Sequence, residues 1–318
     1  MSSHPMIELH RLHRFFGETR AVDDVSFSVA KGEVFGFIGP NGAGKTTSMR
    51  ILATLDLPSY GDARIDGFSS TNDPDRVRRR LGFMPDYFGT YPNVNCIEYL
   101  DFFARAYGLR GGERMRALKK VLDFTGLDKL AEKPIRGLSK GMKQRLCLGR
   151  SMVHDPAVLI LDEPAAGLDP RARIELRVMI RDLASLGKTV LVSSHILTEL
   201  AEMCDRVGII EKGQLLATGT VDEIQNRAVV GQETVERDVV VRTLSNSEGV
   251  AELLNQQESI SGVRIDGELV HYVHTGDRAS EAQLLRTLIE SGFEVAEFRS
   301  QQKSLEDLFM EVTRGVVQ

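Results

Sequence analysis

Gly39-Pro40-Asn41-Gly42-Ala43-Gly44-Lys45-Thr46 is the stretch on which the reading of this 318-residue chain turns. It fits G-x-x-x-x-G-K-[ST] at every fixed position. The apolar run before it, 34–38, reads as a buried strand, and the residues from Lys45 onward predict a helix over 45–57. A strand that feeds a glycine loop and then a helix builds a phosphate site. Glycines let backbone N–H groups close on anionic oxygens, and the positive end of the helix dipole faces them. Lys45 then adds a point charge on the outer phosphates, and the Thr46 hydroxyl can ligate Mg2+.

Working outward, Val158-Leu159-Ile160-Leu161-Asp162-Glu163-Pro164 sets two acids at the end of a second apolar run. A buried strand has no packing use for adjacent carboxylates, and burying them unpaired is costly. A metal and a reacting water are their natural partners: Asp162 to hold Mg2+, Glu163 to polarise the water. A third apolar strand is expected over 189–192. Short apolar runs separated by helical stretches predict a largely parallel α/β sheet, with further β-formers over 7–12 and 22–29. From about 88 to 150 the pattern is helical, notably over 97–107 and 114–125, and reads as a helical insertion. Arg76, Arg78, Arg79 and Arg80 read as a solvated helix face.

Beyond residue 228 the character changes. Residues 229–318 hold 16 acidic and 8 basic side chains, a net of −8, so residues 1–228 carry about +3 of the chain's formal −5. Neither half is basic enough for a nucleic-acid surface. Residues 229–236 are polar, aperiodic and expected to be a linker. From 237 the expected order is strand, helix, strand, strand, helix, strand, the split βαβ of ferredoxin-like folds. A last helix is expected with Ser304 as its cap and Leu305, Leu308, Phe309 and Val312 on one face, which either packs on its own small domain or docks a dimer partner. Cys96, Cys147 and Cys204 form no C-x-x-C pair, which gives no support to a disulfide framework or a zinc site. No signal peptide and no stretch of membrane-spanning length is read, so a cytoplasmic chain is expected.

With these motifs in order, the chain resembles the nucleotide-binding subunits of ABC transporters over about residues 6–228. The resemblance implies an α/β P-loop NTPase fold of the ABC type with a helical subdomain (about 88–150) in a domain spanning 1–228, followed by the linker and the small α+β domain at 237–318. Leu138-Ser139-Lys140-Gly141-Met142 resembles the signature LSGGQ, Ala166-Gly167-Leu168-Asp169 the D-loop, and Ser193-Ser194-His195 the switch-histidine loop. Phe16 sits where the family stacks its adenine, although neighbouring Phe15 is also able to take either the stacking or the core role. The family's Q-loop glutamine is replaced in Met84-Pro85-Asp86-Tyr87: Asp86 can ligate Mg2+ but has no amide to donate. Lys140 and Met142 also depart from the signature.

Residue by residue, the resemblance implies Glu163, His195 and Lys45 as catalytic groups. It implies Phe16, Gly39, Pro40, Asn41, Gly42, Ala43, Gly44, Lys45, Thr46, Thr47, Ser139, Gly141 and Asp169 as nucleotide contacts, and Thr46, Asp162 and Asp86 at the metal. ATP and Mg2+ are the implied ligands; no N-K-x-D motif supports GTP. One signature completes the phosphate site of another subunit, which implies a homodimer or a paired ATPase subunit, and a separate membrane permease contacted around Tyr87, Phe88 and Tyr91. The chain's end resembles the ABC-2 type exporters. Two other readings stay open: a soluble ABC ATPase acting on a non-membrane partner, and a C-terminal domain that senses a ligand and regulates the ATPase.

Overall fold

A computed structural model describes residues 4–87, 89, 91, 93–196, 200, 202–220, 223–224, 236–244 and 246–302. Phe88, most of the expected linker and the expected last helix with Leu305, Leu308, Phe309 and Val312 lie outside the described residues. The chain divides into two compact units, Met1–Val221 and Asp222–Gln318.

Among its described residues the first unit holds two sheets. β1 (Ile7–Phe16), β2 (Thr19–Val29), β4 (Tyr60–Ile65) and β5 (Phe68–Ser69) form an antiparallel sheet in the order β2-β1-β4-β5. The second sheet runs β10-β9-β3-β8-β7-β6, comprising β3 (Val34–Ile38), β6 (Leu81–Met84), β7 (Val158–Leu161), β8 (Thr189–Ser194), β9 (Arg206–Glu211) and β10 (Gln214–Gly219). Only β10, on the edge, pairs antiparallel in it. The largely parallel sheet expected from the apolar runs is this one. The antiparallel sheet is a separate layer that the sequence reading did not distinguish.

β3, β7 and β8 are buried along their whole length, as strands covered on both faces must be. Ile7, Leu9, Leu12, Val22, Val25 and Val29 share one core with Phe35, Phe37, Ile160 and Leu191, so the apolar faces of the two sheets meet. Phe27 stacks on Phe35 with centroids 4.9 Å apart. Into this core packs α1 (Lys45–Leu52) through Met49, Ile51 and Leu52. It is shorter than the 45–57 expected. Thr54 turns left-handed at φ 59°, and Thr54 N and Leu55 N bond back to the carbonyls of Ile51 and Arg50, which closes the helix end.

α2 (Pro74–Arg80) exposes Arg76, Arg78 and Arg79, as expected of a solvated helix face, while Arg80 is half-buried. Arg76 and Arg80 lie over the Phe68 ring, and Arg80 pairs with Asp66 at 2.7 Å. The helical insertion comprises α3 (Cys96–Ala106), α4 (Gly111–Thr125) and α5 (Lys140–Met152). Asn95 and Glu98 form a capping box that starts α3. Leu100, Leu118, Val121, Leu122 and Leu146 build a core of their own between the three helices. α6 (Pro170–Ser185) follows β7, capped by Asp169.

The second unit contains β11 (Glu236–Thr243), α7 (Ser247–Asn255), β12 (Ile260–Asp266), β13 (Leu269–Thr275), α8 (Arg278–Glu290) and β14 (Val295–Gln302). The sheet order is β12-β13-β11-β14 with every neighbour antiparallel. This is the ferredoxin-like split βαβ expected from the element order. Val239, Val241, Val250, Leu254, Val270, Tyr272 and Leu288 form its core.

Candidate active site

Parallel pairing explains why residues far apart in sequence meet. β6, β7, β8 and β3 are neighbours pointing the same way, with Met84 opposite Leu161, Leu161 opposite Val192, and Ser194 opposite Ile38. Whatever follows each strand therefore emerges at one edge: Gly39 after β3, Asp86 after β6, Asp162 and Glu163 after β7, His195 after β8. That carboxyl edge is where open α/β sheets bind ligands.

The loop from Gly39 to Gly44 has room for backbone but not for side chains at its two ends. A Cβ added to Gly39 would run into the Ile210 carbonyl, and one on Gly44 into the Ala21 carbonyl, with Gly44 already at φ 106°. Pro40, Asn41 and Gly42 are exposed at the crest and Ala43 is buried beneath it; in the first turn of α1, Thr46 is exposed and Thr47 half-buried. Lys45 is buried, with 5% of its side chain exposed. Its Nζ donates to the carbonyls of Gly39 at 2.5 Å and Pro40 at 3.2 Å, and stands 3.3 Å from Glu163 Oε1. The ammonium is thus folded back over the loop that a phosphate would enter.

The Asp162 carboxylate accepts from Ser193 Oγ at 2.7 Å, and its backbone N–H donates to Met84 O at 2.8 Å. Burial pushes the Asp162 carboxyl above its usual range; hydrogen bonds from Ser193 and Thr46 pull it back, while the charges of Glu163 and Asp86 push it further up. Asp86 itself is exposed. Glu163 sits at φ 48°, in the left-handed region that a residue with a side chain adopts at a cost. Its N–H donates to Ser193 Oγ at 2.9 Å, which holds the turn. Glu163 Oε2 lies 2.9 Å from His195 Nδ1. An ionised carboxylate only accepts, so Nδ1 carries the proton and Nε2 is left for another partner. Glu163 Oε1 is buried with no hydrogen bond, its contact with Lys45 being an ion pair without hydrogen-bond geometry.

These observations fit a divalent cation and a water. The Asp162 carboxylate and the Thr46 hydroxyl are hard oxygen donors, Asp86, Asp162 and Glu163 share the edge with Lys45, and Glu163 Oε1 is left without a hydrogen-bond donor. Mg2+ keeps several waters and takes one or two carboxylates plus phosphate oxygens, so this small donor set suits it.

Ser139 and Gly141 stand elsewhere, at the start of α5. Ser139 caps the helix, its Oγ accepting from Met142 N at 3.3 Å. Gly141 packs against Ala172, and the Lys140 ammonium lies over Gly167. Arg145 pairs with Glu175, tying α5 to α6. Asp169 Oδ1 accepts from Ala172 N at 2.8 Å as the cap of α6. Among the described residues no hydrogen bond or ion pair joins Ser139, Gly141 or Asp169 to Lys45 or Glu163, so these three stand apart from the cluster around Lys45. At the end of β1, Phe16 is 49% exposed, while Phe15 is half-buried against Tyr60 and His13. Phe15 therefore takes the packing role and Phe16 is the ring left available. Ser193, which holds both acids, was read in the sequence only as part of the switch-histidine loop, without a role of its own.

The ABC transporter family matches residues 22–166, and the family described as ATP-binding protein DrrA1-3-like, C-terminal domain, matches residues 219–313. The chain is similar to the bacitracin transport ATP-binding protein BcrA of Bacillus licheniformis, 33% identical over 98% of both chains. It is also similar to the Nod factor export ATP-binding protein I of Ralstonia nicotianae, 36% identical over 74% of this chain and 73% of that one. Among solved structures it is similar to a dimeric ATP-binding cassette in a post-hydrolysis state bound to ADP and Pi. That match has a TM-score of 0.61 and 25% identity, and covers 68% of this chain and 99% of the other.

Proposed function

The chain belongs to the ATP-binding proteins of ABC transporters, and from that premise we propose that it is the ATP-hydrolysing subunit that energises export through a separate membrane permease. The observation that carries the reading is the convergence of Lys45, Asp162, Glu163 and His195 on one sheet edge beside the glycine loop. Thr46 and Asp162, with Asp86 nearby, would hold Mg2+, which supplies charge neutralisation on the phosphates. Lys45 leaves the Gly39 and Pro40 carbonyls and Glu163 for the β- and γ-phosphates. Glu163, released from Lys45, accepts the proton of the attacking water. His195 keeps its Nδ1–H on Glu163 and turns Nε2 toward the γ-phosphate. Phe16 stacks the base.

Ser139 and Gly141 stand outside this cluster, so a second copy supplies them and ATP joins the two faces. One chain carries every part, which makes a homodimer with two equivalent sites sufficient. Hydrolysis removes the γ-phosphate contacts and releases the pair, a two-state element able to move an attached permease.

The membrane-spanning part is assigned to a partner and this chain to the cytoplasmic face; among the described residues no helix is long and apolar enough to cross a membrane. A docking surface for the partner is available: Tyr87 is 86% exposed, Tyr91 59% and Phe102 59%. Elsewhere on the same unit, Leu55, Phe83, Phe103, Tyr107 and Arg150 line a groove of about 240 Å3. Aromatic anchors of this kind are typical of interfaces. Phosphate release from Mg2+-ATP by the purified chain, against Lys45→Ala, tests the enzymatic reading. ATP-dependent release that Lys45→Ala abolishes is expected; release that survives it would overturn the site.

A further inference from the structure

Phe16 does not stand alone at the end of β1. The Arg14 guanidinium carbon lies 4.4 Å from the centre of the Phe16 ring, on the same face of the strand two residues away. Arg14 Nη2 is 2.9 Å from Asp56 Oδ1, and its Nε is buried without a hydrogen-bond partner. The guanidinium is thus held at one end by Asp56 while it lies against the ring. Asp56 is itself fixed, its Oδ1 accepting from Leu57 N at 2.8 Å. The same loop is laced to β1 on both sides of Arg14: Ser59 N donates to His13 O at 2.7 Å, and Phe15 N donates to Ser59 Oγ at 3.0 Å. That loop directly follows α1, whose first turn carries Lys45 and Thr46.

We propose that Arg14, held by Asp56, is a positioning residue for the nucleotide base: it covers one face of Phe16 and presents the other to the purine. The inference rests on Phe16 being the stacking ring. Two physical effects act together. A cation over one face of an aromatic ring draws on its negative quadrupole, and the electron-poor ring stacks better on an electron-rich purine. The Arg14–Asp56 pair also ties the ring's orientation to the loop at the end of the phosphate-binding helix, so the two ends of one nucleotide are set by one continuous piece of structure.

The test is titration calorimetry with two ligands, Mg2+-ATP and Mg2+-tripolyphosphate, the second having the phosphates and no base. The proteins are the full chain, Arg14→Leu, Phe16→Ala and the double variant. Arg14→Leu is expected to weaken ATP about fivefold, the size of an exposed cation–π contact, and to leave tripolyphosphate binding unchanged. In the Phe16→Ala background the same change is expected to cost nothing further, whereas Arg14→Leu alone is expected to raise KM while kcat at saturating ATP holds. Equal losses for both ligands, or a loss that persists without Phe16, would show Arg14 acting on the phosphates or the fold and overturn the proposal. If Phe16→Ala weakens ATP while Arg14→Leu does not, this inference alone fails. If Phe16→Ala leaves ATP binding unchanged, the base-stacking reading fails and takes the inference with it. Asp56→Asn supplies a second route: it releases Arg14 without touching β1 and is expected to weaken ATP in the same direction.

Discussion

Glu163→Gln should separate binding from chemistry, and the structure sets the size of each effect. The substitution keeps the shape of the side chain and removes its charge and its basicity. Hydrolysis loses the group placed to take the proton of water, and positioned general bases are worth about 10²- to 10⁴-fold. Nucleotide binding moves the other way. Lys45 Nζ lies 3.3 Å from Glu163 Oε1, with 5% and 13% of the two side chains exposed. At an effective dielectric of about 20 that separation corresponds to a gross attraction of about 5 kcal/mol. Desolvation offsets the larger part of it, leaving about 1–2 kcal/mol. Phosphate must break this contact to recruit Lys45. The neutral amide of the Glu163→Gln variant would hold Lys45 less firmly, tightening ATP by about 5- to 30-fold. Phosphate release and equilibrium titration with a fluorescent ATP analogue read the two quantities. Turnover within a few-fold of the parent would remove Glu163 from the chemistry, and weaker binding would refute the reasoning about Lys45.

Three further outcomes are expected. Ser193→Ala removes the donor to Asp162 and the acceptor of Glu163 N in a buried site, which should cost about 1–3 kcal/mol in a urea melt and lower kcat more than ATP affinity; an unchanged kcat would show that the acids hold their places unaided. Asp86→Ala should weaken Mg2+-dependent turnover more than nucleotide affinity, measured by Mg2+ titration of phosphate release; equal losses, or none, would remove Asp86 from the metal. His154 is held down to about 4 by burial, against its bond to Leu81 O and the charge of Asp155. Its folded value lies below the unfolded one, so the stability it contributes is complete above about pH 6.5 and is lost as pH falls toward 4. Between pH 7 and pH 5 this group should cost about 2 kcal/mol, read as a shift in urea midpoint that His154→Gln flattens; an equal shift in the variant would place the sensitivity elsewhere.

The parts of the site that were legible in the sequence are those whose chemistry conflicts with packing. Asp162 and Glu163 at the end of an apolar strand, and the glycines around Lys45, have no use in a core, so their presence announced a ligand. The order of elements after residue 236 also carried its sheet order, because βαββαβ has one common antiparallel solution. Legibility failed where the signal is tertiary. β1, β2, β4 and β5 are ordinary β-formers, and nothing local says that they pair with one another rather than join the parallel sheet. The early end of α1 depends on Thr54, a residue that rarely turns left-handed. The roles of Ser193 and Arg14 depend on which strands become neighbours and which loop lies across β1, facts that exist only once the chain is folded.

The central claim, that ATP joins two copies through Ser139 of one and Lys45 of the other, is tested most directly by mass. Light scattering of Glu163→Gln is measured with Mg2+-ATP and with Mg2+-ADP. The account predicts a mass with ATP twice that of a single chain, and with ADP the mass of one chain. The same mass under both nucleotides would contradict it.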